Sequence, residues 1–76
     1  MFKLYILKTC PYCKKVIGFM DENKVKYSLV DVSDPENYNE LIEIGGNAQV
    51  PFLVDCENDV KLYESDEIID YLKSRM

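Results

Sequence analysis

A chain of 76 residues, 47% apolar and 30% charged, is enough for one small core and too hydrophobic for a disordered segment. Its net charge of −5 argues against a nucleic-acid partner, and no stretch approaches the length of a membrane span. The apolar run from Leu4 to Leu7 is too short for a signal sequence and is followed by no small-residue cleavage site. The expectation is a single domain over residues 1–76, cytoplasmic and in a reducing compartment, where a close cysteine pair is more often catalytic than structural.

Phe2 to Leu7 reads as a first strand. Apolar residues at 13, 16, 17 and 20 then predict a helix from about Pro11 to Glu22. Pro11 stands where a first helical residue would, with no N–H to lose and a φ already suited to the helix. Cys10 is thereby placed at the helix N-terminus, where free backbone N–H groups and the helix dipole favour a thiolate. Cys13 lies one turn on, close enough to close a ring with Cys10. Asn23 and Lys24 turn the chain into a second strand, roughly Val25 to Val32.

Ser33-Asp34-Pro35-Glu36 reads as a capping box with a proline in the first turn. The helix it opens places Tyr38, Leu41 and Ile42 on one face and stops at Gly45-Gly46. Val50-Pro51 precedes a third strand, Phe52 to about Cys56; proline belongs at the first residue of a strand, and X-Pro is also where cis bonds occur. The turn Glu57-Asn58-Asp59 joins it to a short strand, Val60 to Tyr63, as a hairpin. A last helix starts near Ser65, with Asp66 and Glu67 in its first turn, Ile68, Ile69 and Leu72 facing inward, and Lys73 and Arg75 at its end. The predicted order is β-α-β-α-β-β-α. A right-handed parallel crossover followed by an antiparallel hairpin gives an α/β fold, a four-stranded mixed sheet with three helices covering both faces.

A Cys-x-x-Cys pair can also belong to a zinc site or a structural disulfide. Zinc wants about four ligands, and the chain has no histidine and only one further cysteine, Cys56. A disulfide across two residues closes too small a loop to constrain the unfolded chain much. Strand before and helix after favour redox chemistry. Charge supports it: residues 1–20 carry four lysines and no acid, net +4, whereas the rest carries five basic and fourteen acidic residues, net −9. Lys8, two residues before Cys10, is expected to lower its pKa and to attract an anionic thiol. Lys14 and Lys15 read equally well as a solvated helix face. Cys56 is expected to be a small buried hydrophobe or a bystander at the turn.

Lys8, Cys10-Pro-Tyr-Cys13, Val50-Pro51 and the Glu64-Ser-Asp66 start of the last helix together resemble glutaredoxin of the dithiol Cys-Pro-Tyr-Cys type, over essentially the whole chain. The resemblance implies a thioredoxin fold and glutathione-dependent reduction of protein disulfides and glutathione mixed disulfides. It implies Cys10 as nucleophile, Cys13 as resolving thiol, and a cis Val50-Pro51 bond that frees the Val50 backbone to pair with the cysteinyl part of glutathione. By the same resemblance Lys8 meets the glycine carboxylate, Tyr12 walls the groove, and Ser65 and Asp66 take the γ-glutamyl end. Helix N-terminal N–H groups suit a carboxylate there, and plain helix capping would use the same geometry. Gln49 is a further candidate contact.

One feature departs from the family. Glutaredoxins have a Gly-Gly pair before the last helix, where this chain has Leu62-Tyr63-Glu64. The Tyr-Glu-Ser-Asp form is more similar to the N-terminal domain of glutathione transferases, in which Glu64 and Ser65 would hold the γ-glutamyl group. Glutathione as co-substrate, no metal, disulfide-containing or glutathionylated protein partners and a monomeric state complete the expectation. The same thiols could instead be reduced by a thioredoxin-reductase-type flavoprotein, or Cys10 could hold an iron–sulfur cluster without catalysis.

Overall fold

The computed structural model describes residues 1–75. Seven elements follow in the expected order: β1 (Phe2–Ile6), α1 (Pro11–Glu22), β2 (Tyr27–Asp31), α2 (Pro35–Gly45), β3 (Phe52–Asp55), β4 (Val60–Tyr63) and α3 (Ser65–Ser74). The sheet runs β2-β1-β3-β4, with β1 parallel to β2 and the other two pairs antiparallel. The two-residue pleat of β1 and β3 sorts their side chains into two layers. Leu4, Ile6 and Leu53 pack with Cys13, Val16 and Met20 of α1 and with Ile68 and Leu72 of α3. Tyr5, Phe52 and Val54 pack on the other face with Val32 and with Leu41 of α2. Helices therefore cover both faces, as the sequence pattern requires.

The register also decides where function can sit. Tyr5 at the end of β1 faces Phe52 at the start of β3, and Phe52 faces Tyr63 at the end of β4. The segment after β1, the one before β3 and the one after β4 consequently emerge at one end of the sheet. These segments carry Cys10, Pro51 and Ser65.

Several boundaries differ from expectation for local reasons. Leu7 leaves the strand because its carbonyl accepts the Cys10 N–H (3.1 Å), turning the chain into α1. Val25 stays outside β2 because its N–H bonds back to Met20 (2.9 Å) and closes the end of α1. Ser33 does not cap α2. Asp34 does so, accepting the Glu36 N–H at 2.9 Å, while the Ser33 N–H is taken by the Asp31 carboxylate. Of the face assigned to α2 only Leu41 is buried; it packs with half-buried Ile44, one helical turn away, leaving Tyr38 (43% exposed) and Ile42 (37%) on the flanks. β3 ends at Asp55, and Cys56 is an exposed turn residue, not a buried one.

Asp55 ties that turn to α3. Its carboxylate is buried and accepts the Tyr71 hydroxyl at 2.6 Å, the Asn58 side-chain amide at 2.8 Å and the Glu57 N–H at 3.1 Å. The Tyr71 hydroxyl first, then Asn58, hold its pKa down to about 2. A carboxyl whose folded pKa lies below its unfolded value of about 3.9 stabilises the fold above that pH and stops doing so as pH falls through the folded value. Asp55→Asn should therefore lower the urea midpoint at pH 7, and the gap to the parent should close between about pH 4 and pH 2. A gap independent of pH would mean that the carboxylate charge contributes nothing.

Candidate active site

Cys10 is the N-cap residue of α1, in extended backbone (φ −82°, ψ 117°), and Pro11 opens the helix. Neither cysteine is in a disulfide; Cys10 is half-buried and Cys13 fully buried among the core residues beneath α1. Burial alone would raise the pKa of Cys10. Backbone and side-chain hydrogen bonding from Cys13, with the Tyr12 N–H, overcomes that and leaves the thiol below its usual value. Cys13 is pushed well above the usual range, chiefly by burial and further by the adjacent Cys10 sulfur. One helix start thus places a thiol with a lowered pKa and a thiol with a raised pKa one turn apart. Iodoacetamide should alkylate Cys10 in a Cys13→Ser, Cys56→Ser background with a midpoint below the free-thiol value of about 8.5. Cys13 in the matching Cys10→Ser background should react only at far higher pH, and faster reaction of Cys13 at pH 7 would reverse the roles.

Beside the thiols lies a cleft of about 260 Å³ lined by Tyr12, Gln49, Val50, Pro51, Glu64, Ser65 and Asp66. Seven of the candidate residues read from the sequence are brought together there. The Val50–Pro51 bond is cis. Tyr12 is 65% exposed and forms one lip. Ser65 is only 7% exposed and opens α3 at the edge of the cleft. Glu64 is the N-cap of α3 but makes no side-chain cap bond, and its backbone sits at φ 65°, ψ 129°. Positive φ is costly for a residue with a Cβ, and such residues cluster at binding sites.

Two expectations about charge change. Asp66 is engaged by Lys15 at 2.7 Å, which bridges the starts of α3 and α1 and lowers the Asp66 pKa. Nothing local in the sequence signals that pair, because 51 positions separate its members. Glu64 forms no ion pair among the described residues. Lys8 is outside the lining. Its ammonium lies 3.9 Å from Asp31, and the groups that lower the Cys10 pKa are Cys13 and Tyr12, not Lys8. Among the described residues no group of three or more Cys, Asp or Glu could hold a metal ion, and no helix is long and apolar enough to cross a membrane.

Fold and site together define a thioredoxin-like domain with a thiol pair at its first helix. Residues 4–76 match the family model for the glutathione S-transferase N-terminal domain, and the chain belongs to that family. It is 40% identical over 73 residues to prostaglandin E synthase 2 of Mus musculus, covering 93% of this chain but only 18% of the length of that relative. Among solved structures it is similar to the trimeric glutathione transferase TDR1 of Leishmania (31% identity, TM-score 0.79, 99% of this chain and 18% of that one). It also shares the fold of a glutaredoxin from Archaeoglobus fulgidus (20% identity, TM-score 0.76, 93% of this chain and 84% of that one).

Proposed function

We propose that the protein is a glutathione-dependent thiol–disulfide oxidoreductase of the dithiol glutaredoxin kind. The observation that carries this reading is the contrast between the two thiols: a half-exposed Cys10 with lowered pKa at a helix start, and a buried, protonated Cys13 behind it. A transferase that only positions glutathione has no use for the second thiol. In the proposed reaction the Cys10 thiolate attacks the glutathionyl sulfur of a mixed disulfide, forms the Cys10–glutathione disulfide and releases the substrate thiolate. A second glutathione thiolate attacks the bound glutathionyl sulfur, giving glutathione disulfide and Cys10 again. With a protein disulfide, Cys10 forms a mixed disulfide with the protein. Cys13 then attacks the Cys10 sulfur, releases the remaining protein thiol and leaves the 10–13 disulfide for two glutathiones to reduce.

The cleft suits the cysteinyl and γ-glutamyl parts of the tripeptide. The Val50 backbone, beside the cis proline, can pair with an extended peptide as a neighbouring strand would. Ser65, with the α3 N-terminal N–H groups around it, suits the γ-glutamyl carboxylate, and Glu64 suits its ammonium. Lys8 would reach a glycine carboxylate only by leaving Asp31. We assign the reaction to a cytoplasmic, reducing setting, with glutathionylated or disulfide-containing proteins as substrates and the chain acting as a monomer.

Steady-state reduction of a glutathionylated peptide by glutathione, coupled to glutathione reductase, tests the reading: saturable turnover is expected, and turnover only with a thioredoxin-reductase-type flavoprotein as donor would replace glutathione in it. A second reading rests on the 40% identity to a protein named as a synthase. In that reading the same cleft activates a thiol for non-disulfide chemistry within a longer protein, and Cys13→Ser would leave its activity intact on every substrate.

A further inference from the structure

Tyr63 lies outside the cleft and no role has been given to it, yet it holds the segment that forms one wall. Residues 47–50 connect α2 to β3 and deliver Gln49, Val50 and then Pro51 to the cleft. Among the described residues, the hydrogen bonds to the backbone of 47–50 come from one group, the Tyr63 phenol. It accepts the Asn47 N–H at 3.2 Å and donates to the Asn47 carbonyl at 3.1 Å. The phenol is itself held in place. Its ring stacks on Phe52 with centroids 4.5 Å apart and planes 29° from parallel, and Phe52 directly follows Pro51. At the tip of both rings sits Gly45, where a Cβ would collide with the phenol oxygen and lie 3.0 Å from the Phe52 ring. The last residue of α2 is thus kept without a side chain where the hydroxyl passes. Tyr63 also precedes Glu64, so one residue is joined to both walls of the cleft.

From this geometry we infer that Tyr63 is a positioning residue for ligand binding, fixing the 47–50 segment in the shape that the cleft needs before glutathione arrives. The inference rests on the glutathione reading given above. Asn47 is exposed, so water replaces the phenol when its oxygen is removed and the fold loses little. The segment then becomes mobile, and the cost of ordering it moves from folding to binding. The loss of one anchoring group worth a net hydrogen bond or two corresponds to roughly threefold to tenfold in affinity. Cys10 lies on another segment, so its thiolate and the chemical step are left alone.

The experiment compares the parent chain with Tyr63→Phe and Gly45→Ala. Binding of S-methylglutathione is measured by titration, turnover of a glutathionylated peptide by KM and kcat, Cys10 alkylation as a function of pH, and amide exchange by NMR. Tyr63→Phe is expected to raise the S-methylglutathione Kd and the peptide KM by roughly threefold to tenfold. Its kcat and alkylation midpoint should not move, and the amides of residues 47–50 should exchange faster. Gly45→Ala, whose Cβ would collide with the phenol oxygen, should shift KM in the same direction. Unchanged Kd and KM in Tyr63→Phe would overturn the inference, whatever its melting temperature. A fall in kcat with a shifted alkylation midpoint would overturn it too, by placing Tyr63 in the chemistry. If the parent chain itself shows no saturable binding of S-methylglutathione, the glutathione reading fails first; binding by the parent that Tyr63→Phe preserves in full defeats the inference alone.

Discussion

Cys10→Ser should abolish reduction of both a glutathionylated peptide and a protein disulfide, by about a thousandfold or more, since Cys13 is buried with a raised pKa and exposed Cys56 lies outside the cleft. Cys13→Ser should separate the two substrates. Exchange with a glutathionylated peptide needs only Cys10 and a second glutathione, so its rate should stay within a few-fold of the parent. Reduction of a protein disulfide stalls at the mixed disulfide unless a second thiol attacks it, so that activity should drop steeply. Cys13 suits this delayed role because burial keeps it protonated until Cys10 has reacted. Once Cys10 is in a mixed disulfide, the neighbouring negative charge that raises the Cys13 pKa is gone and its proton leaves more readily. Steady-state rates on the two substrates decide the matter. Equal loss on both would remove the resolving role, and no loss on either would mean that Cys10 alone carries both reactions.

The second large effect concerns stability. Ile68 is fully buried in the first turns of α3 and packs with Cys13, Val16 and Leu53 in the layer shared with α1. It fastens the helix start that presents Ser65 and Glu64. Ile68→Ala should cost about 2–5 kcal/mol through lost burial and the cavity left behind, and Ile68→Val about 0.5–1.5 kcal/mol. A domain of this size holds about 4–11 kcal/mol in all, so the alanine variant should lie near the limit of folding at 37 °C. Urea denaturation gives both numbers. An alanine variant within about 1 kcal/mol of the parent would mean that α3 is not anchored by this residue.

Architecture was the most legible property of the chain. Periodicity at 13, 16, 17 and 20, the Pro11 start of α1, the Gly46 stop of α2 (φ 86°) and the β3–β4 turn are all local signals, and local signals survive folding. The cleft was legible because its residues fall at segment ends that the strand register brings together. Errors arose where a choice depended on neighbours distant in the chain. Asp34 and Ser33 can each cap a helix, and Asp31, in the preceding strand, took the Ser33 N–H. Lys8 looked close to Cys10 along the chain but is turned toward Asp31, and Lys15, which had no assigned task, bridges to Asp66. Tyr63 was legible as a strand end and as part of the Tyr-Glu-Ser-Asp form, but not as an anchor, because its partners at Asn47 and Gly45 lie on a segment that only the folded sheet brings near.

The most direct test of the account is where one glutathione lands. Cys13→Ser incubated with glutathione disulfide should gain a single glutathionyl group, located at Cys10 by peptide mass mapping. Its amide resonances should shift at Gln49, Val50, Glu64 and Ser65. A glutathionyl group on exposed Cys56 with Cys10 unmodified, or one on Cys10 that leaves Gln49, Val50, Glu64 and Ser65 unshifted, would contradict it.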